Sequence, residues 1–322
     1  MSGVRFEYGA LREAIVGCAE GFRVPTMTAA AWAEYRQFLP PGALEFLQRG
    51  QGQLLADYAP DIAAELAAQI ERVVQVLGQR GVRVHRPRSL TPTEHMFPCP
   101  GAAGGSLFFM RDPILVVGNL IIDLAMRFAF RRRQRFALRE IIERTLEDGA
   151  MHFISMPEPL PDEGLAPGTF LEGGDVLVNG DEVYVGLSGH ASTARGAQWL
   201  QRTLGPGVSV HRVALAESAL HLDCALSLPR SGLAVACTAA LPDGLPGALR
   251  DWEVIDVSIE DAKRLACNGL VLDAGTYLID QAHAALAEKL SSRGLEVIAV
   301  PFHLPALFGG GLRCAHHPLL RI

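Results

Sequence analysis

The chain has 322 residues, 49% hydrophobic and 20% charged, a globular composition long enough for one large domain or two medium ones. Its formal charge of −6 argues against nucleic acid as the main partner. No apolar run reaches the roughly eighteen residues of a membrane span. The opening Met1-Ser2-Gly3-Val4-Arg5-Phe6-Glu7 lacks a basic-then-apolar signal pattern. A cytoplasmic protein without membrane contact is expected. Six cysteines, at 18, 99, 224, 237, 267 and 314, lack CxxC or Cys/His spacing, so reduced thiols and no zinc site are expected. Gly173-Gly174 is followed by no GK[ST] or GxGxxG context, and no cofactor motif is present.

In chain order, residues 13–17 read as a strand, and a loop-rich stretch with Pro40-Pro41 runs to about residue 60. Residues 61–77 carry the apolar period of a helix, which stops at Arg80-Gly81 before an alternating strand at 82–87. That ending recurs. Helices closing at Gly149 and Gly205 lead into strands at 151–157 and 208–213; a shorter copy leads from 246–250 into 252–257, and a helix at 281–292 into 295–301. A hydrophobic strand precedes each helix, at 14–17, 114–118, 183–187, 233–237 and 277–279. Another strand stands before four of these, at 107–110, 175–178, 222–228 and 270–273. The N-terminal copy lacks it, and the run Gly309-Gly310-Gly311-Leu312-Arg313-Cys314 can supply it from the other end of the chain. Five ββαβ units closing into a ring predict an α/β fold, a five-bladed α/β propeller with pseudo-five-fold repeats, as a single domain over residues 1–322. A doubly wound sheet would instead alternate β and α regularly, which the paired strands fit poorly.

The ring brings the polar residues of the leading strands to one centre: Arg111-Asp112, Glu172-Gly173-Gly174-Asp175, His221-Leu222-Asp223 and Cys314. His221 and Asp223, two apart on a strand, would face the same side. Each has a plainer reading. Asp112 before Pro113 can shape a turn, Glu172 to Asp175 can be a turn with solvated acids, His221 can be a satisfied core histidine, and Cys314 a small buried apolar residue. Their register on successive repeats favours a site. A Cys314 thiolate attacks an electrophilic carbon, His221 moves protons and Glu172 orients its ring. Asp112 and Asp223 remain as two carboxylates on one pocket, suited to the planar N–H fork of a guanidinium. Such a thiolate should alkylate well below the ordinary cysteine pKa.

At these residues the chain resembles the guanidine-modifying (pentein) superfamily and, within it, the glycine amidinotransferase-like family, over nearly its whole length. The most specific match is Arg111-Asp112-Pro113 through Asp123, continuing past Met126-Arg127 to Arg139-Glu140-Ile141-Ile142. Phe170-Leu171-Glu172-Gly173-Gly174-Asp175, His221-Leu222-Asp223 and the loop Gly309 to Cys314 match superfamily motifs. The resemblance implies catalysis by Cys314, His221 and Glu172, with Asp112, Asp223, Arg111, Asp175 and Gly311 at the substrate. It also implies a ping-pong transfer through an amidino-cysteine, from L-arginine to an acceptor amine, in the biosynthesis of a guanidino compound. A guanidine hydrolase (arginine deiminase or dimethylarginine hydrolase type) is the alternative, and a catalytically silent guanidine-binding protein the alternative of another class. The expected partners are small molecules, the guanidino donor and the amine acceptor, with a homodimer expected only from its frequency among enzymes. The family's arginine for the donor's α-carboxylate falls at Ala240, its serine falls near Ala262, and the tail from Ala315 resembles the deiminase side.

Two other features stand out. The basic run Phe130-Arg131-Arg132-Arg133-Gln134-Arg135 reads as a solvated helix face. His316-His317, pointing apart on an extended segment, make a poor chelate and read as pocket or surface residues.

Overall fold

The computed structural model describes residues 3–40, 42–97, 105–159 and 168–322, so that Pro41 and Cys99 lie outside the described residues. Among them are five three-stranded mixed sheets of one pattern, in which a leading strand pairs antiparallel with a middle strand and the middle strand pairs parallel with an outer one. The first blade is Ile114–Val117, Leu120–Asp123 and His152–Ser155; the second is Val176–Asn179, Glu182–Leu187 and Ser209–Ala214. Leu226–Arg230, Leu233–Ala236 and Glu253–Asp256 form the third, and Leu270–Asp273, Thr276–Asp280 and Glu296–Val300 the fourth. The fifth joins the two ends of the chain: His316–Arg321, Leu11–Val16 and Arg83–His85.

A parallel pair needs a crossover, and this is where each repeat places its helix. Pro60–Gln79 shows why such a segment is helical. Proline opens it, and Leu66, Ile70, Val73 and Leu77 form a buried stripe at helical spacing. Gly81, at φ 75, then turns the chain in the left-handed conformation that ends helices. The crossover of the third blade holds no α-helix but the 3-10 turns Thr238–Ala240 and Gly247–Leu249. Leading and middle strands are buried almost continuously, while outer strands such as His152–Ser155 are exposed. The leading strands line the centre, where His316–Arg321 lies beside Ile114–Val117 and Leu226–Arg230 beside Leu270–Asp273.

Four expectations change. In the first blade the leading strand is Ile114–Val117, not 107–110, and 114–118 is not the middle strand. Gly118, at φ 55, makes the tight hairpin turn into Leu120–Asp123. The segment Gly105–Leu107 leaves the ring to pair with Cys18–Arg23. The ring does close from the C-terminus, but through His316–Arg321; the glycine run and Cys314 form the turn entering that strand. His221 and Asp223 likewise lie on no strand, because Leu222–Cys224 is a 3-10 turn before Leu226–Arg230. The stretch from 18 to 60 is not mainly loop: it holds the strand Cys18–Arg23 and the helices Ala29–Tyr35, Ala43–Arg49 and Leu55–Tyr58. No described helix is long and apolar enough to cross a membrane, and the five described cysteines are free thiols.

Candidate active site

Every candidate sits on a connection entering a leading strand, so the pattern of the repeat, rather than sequence proximity, gathers them. Asp112 lies in the bend before Ile114–Val117. Its Oδ1 accepts from Gly174 N at 2.9 Å and lies 3.8 Å from His221 Nδ1. Glu172 Oε2 is 3.0 Å from His221 Nε2, and Oε1 accepts from Arg127 N at 2.9 Å. Both imidazole nitrogens therefore face carboxylates. Gly174 makes this approach possible, because a Cβ there would stand 2.5 Å from His221 Nδ1 and 2.7 Å from Asp112 Oδ1. Burial alone would press the His221 pKa down, but Asp112, Asp175 and Glu172 together lift it to about 10, so the ring is an imidazolium at neutral pH. Burial likewise works against an ionised Asp112, but His221, Arg131 and the Gly174 amide hold its pKa below the usual carboxylate value.

The second group surrounds the cysteine. Asn268 Oδ1 accepts from the backbone N–H groups of Arg313 (3.0 Å) and Cys314 (3.2 Å), and its Nδ2 donates to Asp223 O at 3.2 Å. Gly311 leaves room for that amide, since a Cβ there would lie 2.6 Å from Asn268 Oδ1. Arg313 Nη1 donates to Asp223 Oδ2 at 3.0 Å, and Nη2 donates to Glu7 Oε1 (3.0 Å) and Val176 O (2.8 Å). Cys314 Sγ lies 3.8 Å from Asp223 Oδ2. Burial, then Asp223 and Asp112, push the Cys314 pKa well above the ordinary thiol value. The expected activated thiolate is thus disfavoured in this arrangement: burial and the negative neighbours Asp223 and Asp112 work against the ionised form of Cys314.

Arg111 and Asp175 do other work. The Arg111 backbone N donates to Cys314 O at 3.1 Å, while its guanidinium is buried beside Arg313 and Glu7, its pKa lowered to about 9 mainly by burial. Asp175 accepts from Ser192 N and Leu222 N, both at 3.1 Å, and so straps the Glu172 turn to the His221 turn. Burial raises its pKa to about 7.

The basic run is the largest correction. Arg131, Arg132, Arg133 and Arg135 are buried, not a solvated face. Arg131 Nη1 donates to Asp112 Oδ2 at 2.9 Å and stands 4.0 Å from Glu172, supplying a cation within the cluster. His316 and His317 are neither pocket nor surface residues. Both are buried in the closing strand, their Nδ1 atoms 3.2 and 3.3 Å from the carbonyls of Leu312 and Arg111, and burial first, then Arg111, drives their pKa values well down. Sequence reasoning also missed Tyr35, at the end of the helix Ala29–Tyr35. Its hydroxyl donates to Phe308 O at 3.3 Å, just before the loop that carries Cys314, and burial pushes the phenol up to about 12 with Arg131, Asp112, Cys314 and Glu172 as its charged neighbours. Glu7 and Arg313 were missed as well, since only folding joins the two ends of the chain.

Asp112, Glu172 and His221 bring donor atoms within 4.8 Å of one another, the one such cluster among the described residues that could hold a metal ion. The Arg131 guanidinium and the imidazolium already balance those carboxylates, so the donor set suits nitrogen cations better. Ala240 is buried in the turn Thr238–Ala240, and Arg230 ends its strand away from the turn that carries His221.

Five mixed sheets of this order form the fold of the guanidine-modifying (pentein) superfamily. A family model described as N,N dimethylarginine dimethylhydrolase, eukaryotic, matches residues 118–321, more than half of the chain. Across nearly the full length the chain is 25% identical over 347 residues to inosamine-phosphate amidinotransferase 1 of Streptomyces griseus, covering 97% of this chain and 94% of that protein. It is also 24% identical over 351 residues to the mitochondrial glycine amidinotransferase of Danio rerio, covering 96% and 80%. In fold it matches the solved inosamine-phosphate amidinotransferase of Streptomyces griseus with a TM-score of 0.83 at 24% identity, covering 100% and 97% of the two chains. A dimethylarginine dimethylaminohydrolase from Pseudomonas aeruginosa gives 0.67 at 18% identity, covering 97% and 100%. The chain belongs to the guanidine-modifying (pentein) superfamily, with a dimethylarginine hydrolase family model over more than half of it and amidinotransferases among its distant relatives over nearly its full length.

Proposed function

We propose that residues 1–322 form one amidinotransferase domain that moves an amidino group from a guanidino donor, L-arginine, to an acceptor amine through amidino-Cys314. The observation that carries this reading is the meeting of Asp112, Glu172 and His221 in one cluster, with Cys314 held against Asp223 by the Arg313 and Asn268 contacts. Both relatives described above are amidinotransferases by name.

The charges suggest the sequence of events. At rest the thiol is neutral and the imidazole protonated. A donor guanidinium beside Asp112 and Asp223 adds the positive charge that favours a thiolate, and Asp223 Oδ2 takes up the thiol proton. The thiolate attacks the guanidinium carbon; the S–C bond forms, the C–N bond to the donor breaks, and His221 protonates the departing amine. The neutral imidazole then takes a proton from the incoming amine, whose nitrogen attacks the amidino carbon and expels Cys314. Glu172 orients the ring, Asp175 and Gly311 set the two turns, and Arg111 supports the nucleophile loop rather than the substrate. Burial of Cys314, His221 and Glu172, each under 5% exposed, keeps out water that would turn transfer into hydrolysis.

Product analysis tests the reading. Ornithine and a new guanidino compound should form from arginine only when an amine is present. The hydrolase reading, favoured by the dimethylarginine hydrolase model, predicts citrulline with no amine added. Ready binding of guanidino compounds with no turnover in any mixture would leave the silent binder.

A further inference from the structure

The helix Ile259–Lys263 ends in a motif that glycine normally completes. Ala266 N donates to Asp261 O at 3.0 Å and Leu265 N donates to Ala262 O at 2.8 Å, the paired bonds of a Schellman turn. Its left-handed position is held by Leu265, at φ 67, the one non-glycine residue with positive φ among those described. A leucine is disfavoured there, and such strain persists where the surroundings make use of it. Leu265 lines a cleft of about 320 Å³ whose other apolar walls are Phe38, Leu39, Pro40 and Leu220.

At Cys224 the lining of that cleft is one carboxylate away from Cys314. Cys224 points its thiol at Asp223 Oδ1 (3.6 Å), while Cys314 lies against Oδ2 of the same group (3.8 Å). Gly309, which opens the loop that carries Cys314, lines the cleft too. Two cations, Lys263 and Arg264, and one acid, Glu260, line it from the helix end. Lys263 makes no ion pair among the described residues, and the ion pair of Arg264, to Asp261, is a long 4.0 Å. The cleft thus joins Cys224 and Gly309, the lining residues next to Asp223 and to the loop of Cys314, with apolar walls and residues of net positive charge.

Resting on the amidinotransfer reading, we infer that the acceptor is amphipathic: a primary amine on an apolar chain or ring whose far end is anionic and meets Lys263 and Arg264. Its amine nitrogen bonds to the amidino carbon as the S–C bond to Cys314 breaks. The amine proton stays on His221 and restores the imidazolium, while the proton that left Cys314 returns to the released thiolate, leaving a guanidinium product and the resting thiol. Leu265 sets specificity by presenting its side chain to the apolar body.

The test is to load the full-length protein with arginine, remove free donor, and chase the Cys314 adduct with glycine, 4-aminobutyrate, 6-aminohexanoate or hexylamine, following release by intact mass. Each methylene buried should speed transfer roughly fourfold, so 6-aminohexanoate should outrun 4-aminobutyrate by about tenfold or more. Replacing both surface cations, Lys263→Ala with Arg264→Ala, should remove about fivefold of the advantage of 6-aminohexanoate over hexylamine. Leu265→Gly, which suits the backbone, should flatten the chain-length preference while the protein stays folded. Glycine reacting as fast as the long acceptors, or the paired cation variant slowing hexylamine equally, overturns the inference alone. Failure of any adduct to form overturns it together with the reading on which it rests.

Discussion

The histidine side and the cysteine side of the site are built from the same material, buried carboxylates each bound to a buried arginine, yet they set their reacting groups oppositely. Around His221, Asp112 and Glu172 lift a base until it holds its proton at neutral pH, with Arg131 beside them. Around Cys314, Asp223 and Asp112 lift an acid until it keeps its proton, while Arg313 is turned to Asp223 and Glu7. Negative charge thus makes the base cationic and the nucleophile neutral at once. The ingredient that would ready the thiolate is positive charge, which the guanidinium of the proposed donor carries.

The largest expected effect breaks the cysteine side. Cys314→Ala should abolish turnover and every covalent adduct while the thermal transition stays near wild type; turnover near wild type would remove Cys314 from the chemistry. On the histidine side, Glu172→Gln should lower kcat by roughly 10²–10⁴ and shift the basic limb of the pH profile to lower pH, because His221 loses a partner that raises its pKa. A profile that does not move would mean that Glu172 does not set the ring. Arg131→Gln leaves Asp112 without its guanidinium and should cost about 3–5 kcal/mol of stability in a denaturant titration, with Arg131→Lys recovering part. A loss under about 1 kcal/mol would mean that the pair behaves like a surface one.

Smaller effects sharpen the contrast. Iodoacetamide at neutral pH should label the half-buried Cys18 before Cys314, and millimolar guanidinium ion should speed labelling of Cys314 roughly tenfold, the effect of one pKa unit. Faster labelling of Cys314 without any cation would contradict a neutral resting thiol. His221 also links stability to pH. Its folded pKa of about 10 exceeds the unfolded value of 6.5, so its contribution is complete below the latter and is lost as pH rises through about 10. The melting temperature of His221→Gln should therefore fall less than that of the wild type over that window.

Much of this arrangement was legible in the sequence. Apolar runs and recurring Gly-terminated helices give the five repeats, and Asp112, Glu172, His221 and Cys314 occupy equivalent places in them. The first blade was read one strand out of register because Gly118 makes a hairpin turn inside what looks like one apolar run. The arginines of the run 131–135 look like surface charge because their partners are distant in sequence; Asp112 reaches Arg131 only once the bend before Ile114–Val117 has formed. Glu7 and Arg313 meet for the same reason, through ring closure. The protonation of Cys314 was illegible because it depends on summed burial and charge rather than on any one neighbour.

The most direct test of covalent transfer is intact mass analysis of the full-length protein mixed with arginine and no amine, followed by addition of an amine. The account predicts that the wild type gains one amidino group, that Cys314→Ala gains none, and that the amine clears the adduct as a new guanidino compound appears. Arginine consumed to citrulline in the absence of amine, or no adduct on Cys314 while products form, would contradict it.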